Sequence, residues 1–319
     1  MPRMHLLPDI DIGADAPDVF TERVLRAHVA QFWRSHGPAK GSELDVIAAE
    51  ERYERFCATF LQTIPAVFAL QPDKQWDDRL PTLPMQRQLL HMFIFEFLSW
   101  NFRPILLQQP DQVNHLPRYK QVLSSHNKKA LAVAALNLLE GAAALHMMMG
   151  GSHTRYAGIV IPLYEGAVPL LCLCADKSFP GDVVQSQLHT RKTDPLEAGI
   201  SNLTRAKCMQ AARDALSRLQ ILAEVSNMAE VGARTLARLI SRVDSSPPLA
   251  QVQEDSTRES DTIMQASEAW SCDQMLEYNF PFDNTGCPDV GANWDEMLQD
   301  MTGSFGLEEN GFLEAGYPM

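Results

Sequence analysis

The chain has 319 residues, 45% of them apolar, enough to fill the core of one large or two ordinary domains. Its net charge of −13 is unevenly spread: residues 251–319 carry fifteen acidic side chains and one basic one, Arg258, while the 250 residues before them are nearly neutral. That distribution excludes a broadly basic nucleic-acid-binding surface and marks off a separate acidic segment.

Residues 1–17 contain Pro and Asp without periodicity and read as irregular. A first helix is expected from near Asp18 or Thr21, through Phe32 and Trp33, to Gly37. After a Gly- and Pro-containing loop, Ser42 is placed to cap a second helix with Asp45 in its first turn. Residues 71–84 form a loop with three prolines, and a strongly apolar helix follows from Met85. Leu89, Leu90, Phe93, Phe97 and Trp100 recur at spacings of three and four, the signature of one helical face and a candidate central core. Pro104 disfavours helix at Arg103, so the helix should stop or kink there. Arg103, beside Trp100 and Phe102, is expected to tie this turn to a neighbouring helix through a carboxylate or helix-end carbonyls, its stem packed on an aromatic ring.

Residues 108–120 hold Pro110 and Pro117 and read as a connection. The next helix is expected from Ser124 or Ser125 to about Met149, ending in the Gly150-Gly151-Ser152-His153 turn. Residues 157–175 are long and apolar enough to span a bilayer. Glu165 at the centre is costly in lipid, and Pro162 and Pro169 interrupt the run, so a buried, kinked helix in a soluble core is the better reading. Residues 176–200 read as a long loop with at most a short helix. Ser201 or Asn202 should then cap a helical run to about Val243, which Asn227 or Gly232 bends or breaks into two. No convincing strand alternation and no internal repeat appears, so the fold class is all-α, an irregular multi-helix domain over residues 18–245.

From residue 246 the composition changes. A polar stretch rich in Gln, Ser, Thr and Glu is expected to be disordered, and beyond it aromatic and aliphatic residues return among acids. This alternation is the composition of an acidic activation segment, in which repelling charges keep apolar anchors available to a partner. Within Asn293-Trp-Asp-Glu-Met-Leu-Gln-Asp-Met301, Trp294, Met297, Leu298 and Met301 fall at i, i+3, i+4 and i+7. They are the candidate partner-binding residues, able to enter a groove as one face of an induced helix. The competing readings are an acidic tail that only solubilises the chain and one that docks back on the helical body.

The run MQRQLLHMFIFEFLSWNFRPILL at residues 85–107 resembles the middle homology region of fungal zinc-cluster transcription factors. Their signature helix ends in a Leu-His-Arg-Pro-like turn, and Asn101-Phe102-Arg103-Pro104 stands at that place here. RYERFCATFLQTIPAVFAL at 52–70 is similar to the helix and Leu-Pro step before the signature, and NKKALAVAALNLLEGAAAL at 127–145 to the Ala-rich helix after it. The resemblance covers roughly residues 44–245, and a short acidic Trp-x-x-Met-Leu pattern is often found near the end of such proteins. It implies a nuclear transcriptional regulator of a metabolic or secondary-metabolite gene set. The implied partners are the transcription machinery or a coactivator, bound through the acidic tail, and a possible homo- or heterodimer mate. No cofactor and no membrane is implied.

The family's zinc cluster needs six closely spaced cysteines, and none of the cysteines here precedes Cys57. Contact with DNA is therefore expected only indirectly or through a missing N-terminal cluster; a truncated gene model, a natural variant and reliance on a partner all remain open. The six cysteines include no C-x2-C pair, and without a secretory pattern they read as reduced, mostly buried thiols. An all-α metabolic enzyme or small-molecule-binding protein is the alternative. It lacks a visible site: Asp77-Asp78 has no third carboxylate and is followed by Arg79, no phosphate-binding, hydrolase or zincin motif occurs, and His146 and His153 are separated by a Gly-Gly turn. No catalytic, cofactor-binding or metal-binding residue is nominated.

Overall fold

The computed structural model describes residues 20–37, 45–108, 113, 115–151, 153–181 and 194–245. Among these residues there are eight α-helices and no strand, so the chain is all-α as its periodicities require. The expectations for the acidic tail, and for Ser42 as a cap, lie outside the described residues.

The helices are α1 (Thr21–His36), α2 (Val46–Phe56), α3 (Leu83–Phe102), α4 (Arg118–Met148), α5 (Ala157–Ala175), α6 (Glu197–Ser201), α7 (Arg205–Leu222) and α8 (Asn227–Ser245). A π-helical turn, Cys57–Leu61, continues α2, and a 3-10 turn, Arg103–Leu107, continues α3. α3 packs on α4, α4 on α5, and α5 on both α7 and α8; α1 covers α3, and α2 and α6 lie against α4.

Proline placement explains the limits of α3. Pro84 occupies its first turn, where a missing N–H costs nothing. Pro104 ends it by converting the chain to the 3-10 turn at Arg103. The expected stripe is too narrow. Leu90, Phe93 and Phe97 are buried, but Leu89 and Trp100 keep partial exposure, and Met92, Ile94, Leu98 and Phe102 are buried as well. Neighbours on several sides enclose α3, so the core takes more of its circumference than one amphipathic face.

Three helix starts differ from the sequence reading. Asp45 caps α2 instead of entering its first turn, with Oδ1 accepting the Ile47 N–H at 3.0 Å. α4 starts at Arg118, directly after Pro117, whose carbonyl accepts the Lys120 and Gln121 N–H groups. Ser124 is not a cap: it is buried, and its hydroxyl donates to Gln108 Oε1 at 2.7 Å. α7 begins at Arg205 with Thr204 accepting the Lys207 N–H at 3.1 Å, so neither Ser201 nor Asn202 caps it. The expected division into two helices is present, but the break is at Ala223–Ser226; Asn227 opens α8 and Gly232 is buried inside it.

Small residues let the helices approach. A Cβ on Gly141 of α4 would stand 2.7 Å from Met92 Cγ of α3, and one on Gly166 of α5 would stand 2.9 Å from Leu139 Cδ2 and 3.3 Å from the Ala135 carbonyl of α4. α4 and α5 are long and apolar enough to cross a membrane, but most of each is buried within the fold. α5 remains one helix through Pro162 and Pro169.

Buried polar side chains hold the irregular parts. Asn101 Nδ2 donates to the Ala49 carbonyl at 2.9 Å while its Oδ1 accepts from Arg52, and Asn127 donates to the Val46 carbonyl at 3.1 Å. Both fix α2 to the α3–α4 pair. Arg87 donates to the Val67 carbonyl at 2.7 Å and pairs with Asp77, and His91 meets the Phe68 and Ala69 carbonyls at 3.0 Å. These contacts staple the loop before α3, and they use Asp77 as an ion-pair partner.

Two stability outcomes follow from this packing. Phe93→Ala is expected to cost about 3–5 kcal/mol in denaturant unfolding, and the half-exposed Leu89→Ala distinctly less. Gly166→Ala should destabilise by about 1–3 kcal/mol, because the new methyl group meets Leu139 and the α4 backbone. Equal costs at positions 93 and 89, or a neutral Gly166→Ala, would contradict the packing.

Candidate functional site

Trp294, Met297, Leu298 and Met301, the residues read from sequence as partner-binding, lie outside the described residues. Within them, the densest chemistry is a charged seam between α1, α3 and α5. It starts at Arg103, which Pro104 holds at the end of α3. The guanidinium forms an ion pair with the Glu165 carboxylate, donates to the Glu165 backbone carbonyl at 3.2 Å, and lies over the Trp100 ring with its carbon 5.4 Å from the centroid. Arg103 is thus the tie between the α3 turn and a neighbouring helix that the sequence suggests. It also supplies the partner that makes Glu165 tolerable in the middle of an apolar helix.

Two turns before Arg103 on α3 stands Glu96. Its carboxyl group is enclosed, although the residue keeps some surface. Burial, reinforced by the charge of Glu165 and opposed by Arg103 and Arg26, pushes its pKa up to about 7. On α1, Glu22 is 4% exposed and bonded to Arg26 at 2.6 Å; burial raises its pKa against the pull of Arg26 and Arg23. The Arg26 guanidinium lies 5.8 Å from the centre of the Phe93 ring. The seam therefore alternates Glu22, Arg26, Glu96, Arg103 and Glu165, three acids with two bases threaded between them. That interleaving suits a structural charge network and not a cation site. Among the described residues no three His, Cys, Asp or Glu side chains converge to hold a metal.

The sequence reading missed Glu96, and the signal was present: it is the one charged residue in the run Phe93-Ile-Phe-Glu-Phe-Leu-Ser-Trp100. Arg103 and Glu165 stand out in the sequence, but their pairing does not, because they lie on elements distant in sequence; Glu22 and Arg26, an i, i+4 pair on α1, went unread.

The surface offers two further features. A groove of about 270 Å³ between α1 and the π-helical turn is lined by His28, Phe32, His36, Thr59, Phe60 and Thr63. It is open and smaller than the ~300–1,000 Å³ clefts that enclose small organic ligands. The second feature is a set of exposed apolar side chains near helix ends. α1 runs alongside α3, with Arg26 on Phe93 and Trp33 on Phe97, while α4 runs back antiparallel, with Gly141 against Met92. His153 and Arg155 bond the Ile221 and Val225 carbonyls, fixing the turn after α4 to the end of α7. Phe20, Met85, Met147, Met148, Tyr156 and Ile221 are each exposed, at or beside the ends of their helices. Methionine-rich apolar surface of this kind is adaptable contact surface.

The chain is similar to transcription factor xilB of Penicillium rubens, 41% identical over 259 residues that cover 78% of this chain and 38% of that protein. It is also similar to the probable transcription factor sol4 of Alternaria solani, 34% identical over 270 residues that cover 82% of this chain and 48% of that one. The chain thus spans less than half the length of either curated relative. No family model and no solved structure matches it. Both homologues are fungal proteins, one named as a transcription factor and the other as a probable one.

The seam generates a pH dependence. The folded pKa of Glu96 lies above its unfolded value, so its contribution to stability is full below the ordinary carboxylate range and is lost as pH rises through about 7. His91, whose pKa burial lowers, acts in the opposite sense, so the readout is a difference between proteins. From about pH 5 to about pH 8, Glu96→Gln should gain melting temperature relative to the parent chain. An unchanged difference across that range would place the Glu96 carboxyl in water.

Proposed function

We propose that this chain is the regulatory and activating part of a fungal transcriptional regulator that works in the nucleus. The similarity to two transcription factors across about four-fifths of the chain carries the reading. In it, residues 18–245 form the regulatory domain and residues 246–319 the acidic activation segment. Trp294, Met297, Leu298 and Met301 enter a groove on a coactivator or a component of the transcription machinery as one face of a short helix. The surrounding acids speed encounter with a basic partner surface, and the apolar anchors hold the complex. DNA is reached through a partner, of the same kind or another, or through a zinc-cluster segment that this sequence does not contain. The regulated genes are a metabolic or secondary-metabolite set.

Fusing residues 251–319 to an unrelated DNA-binding domain tests the segment. The fusion should drive a reporter in a fungal host, and combining Trp294→Ala with Leu298→Ala should remove most of that activity at equal protein level. Neutralising Asp295, Glu296 and Asp300 should weaken it less. Silence of the well-expressed parent fusion would leave the tail a solubilising appendage.

A further inference from the structure

We propose that an exposed arginine stripe on α8 is the docking site for residues 254–261 of the same chain, the first acidic cluster after the helical body. Arg234, Arg238 and Arg242 recur every four residues and are all exposed, so they line one outward edge of α8. The other side of the helix is committed to packing, with Ala229, Gly232, Leu236, Leu239, Ile240 and Val243 buried. The acids on α8 itself offset the stripe weakly. Glu230 comes only within 3.8 Å of Arg234, with both side chains more than half exposed, a pair of little strength in water. Asp244 is engaged by Arg213 of α7 at 3.1 Å. Residues 205–245 carry seven basic and four acidic side chains, a net +3 in a body that is otherwise close to neutral.

The occupant follows from where α8 ends. Its last residue is Ser245, and residues 246–253, Ser-Pro-Pro-Leu-Ala-Gln-Val-Gln, carry no charge. Next come Glu254, Asp255, Glu259 and Asp261 with one base, Arg258, four negative charges against one positive and a net −3. Arg242 and Arg234 are about 12 Å apart along the helix axis at 1.5 Å per residue. The step from Ser245 to Glu254 reaches at most about 30 Å when extended. It is long enough to double back along α8 and short enough to hold these acids at high local concentration beside the arginines. Acids further along the chain pay more loop entropy for the same contact. Guanidinium groups also suit carboxylates better than ammonium groups do, because their planar fork meets both oxygens. Trp294 lies more than thirty residues beyond Asp261, so this docking leaves the anchor segment to a partner and fixes where the tail leaves the body. The contact extends the proposed regulatory role but does not depend on it, since it is read without any measurement of transcription.

The test uses the complete chain with Arg234→Lys, Arg238→Lys and Arg242→Lys combined, which keeps the charge at three exposed positions and supplies amines. A water-soluble carbodiimide then joins carboxylates to the amines they touch, and the monomer fraction is digested and mapped by mass spectrometry. Peptides linking the α8 lysines to Glu254, Asp255, Glu259 or Asp261 should dominate the cross-links formed by those lysines. Their yield should not change with protein concentration, and it should fall several-fold as sodium chloride rises from about 0.05 M to about 0.5 M. Adding Glu254→Gln, Asp255→Asn, Glu259→Gln and Asp261→Asn should remove them while leaving helical content and cross-links elsewhere in the body unchanged. Lysines of α8 linked only within the body, linked evenly to acids throughout residues 254–309, or linked only in a dimer fraction would each overturn the proposal.

Discussion

Six consecutive residues of α4, Ala130 to Ala135, are buried, which is possible only for a helix enclosed on every side. The helix is 31 residues long, about 46 Å at 1.5 Å per residue, and α2, α3, α5, α6 and α7 all lean on it. Its composition makes this arrangement feasible. Ala130, Ala132, Ala134, Ala135, Gly141 and Ala142 keep its radius small, so the bulk that fills the core comes from the neighbours. Enlarging any of these side chains would push a helix outward, and displacing α3 or α5 would disturb the charged seam they share.

That seam follows from the enclosure. With α3 pressed between α1, α4 and α5, a carboxylate on it cannot turn wholly to solvent, and Glu96 is the result. The fold answers with Arg26 from one side and Arg103 from the other, and Glu165 supplies the counter-charge that Arg103 requires. Buried networks of this kind contribute less to stability than to specifying one arrangement of the helices. Here the network links α1, α3 and α5 at the junction where α3 must stop.

Much of this was legible in the sequence where a rule acts locally. Pro84 and Pro104 bound α3, the absence of strand alternation gives the fold class, and the setting of Arg103 beside two aromatics announces a tie to another helix. The misreadings came from competition between local signals. Ser124 is a good capping residue, but Pro117 already starts the helix and the Ser124 hydroxyl is taken by Gln108. Ser201 and Asn202 likewise lose to Thr204. What the sequence could not show was partnership at a distance. Asn101 serves the Ala49 carbonyl, Glu165 answers Arg103, and Arg205 meets the Cys174 carbonyl across more than thirty residues. Such pairs leave no periodic trace. The candidate partner-binding residues around Trp294 remain a sequence reading, because they lie outside the described residues.

An enclosed helical body and an acidic segment lie in one chain, and similarity to xilB and sol4 is the broadest support for the proposed regulatory role. In that proposed role the chain changes transcription. The most direct test compares transcript levels in the organism that encodes it, with the gene intact and deleted, under conditions in which the protein is present. A coherent set of metabolic genes should shift on deletion and return when the intact chain is restored. Transcript levels that are indistinguishable between the two strains, with the protein shown to be present in the parent, would contradict it.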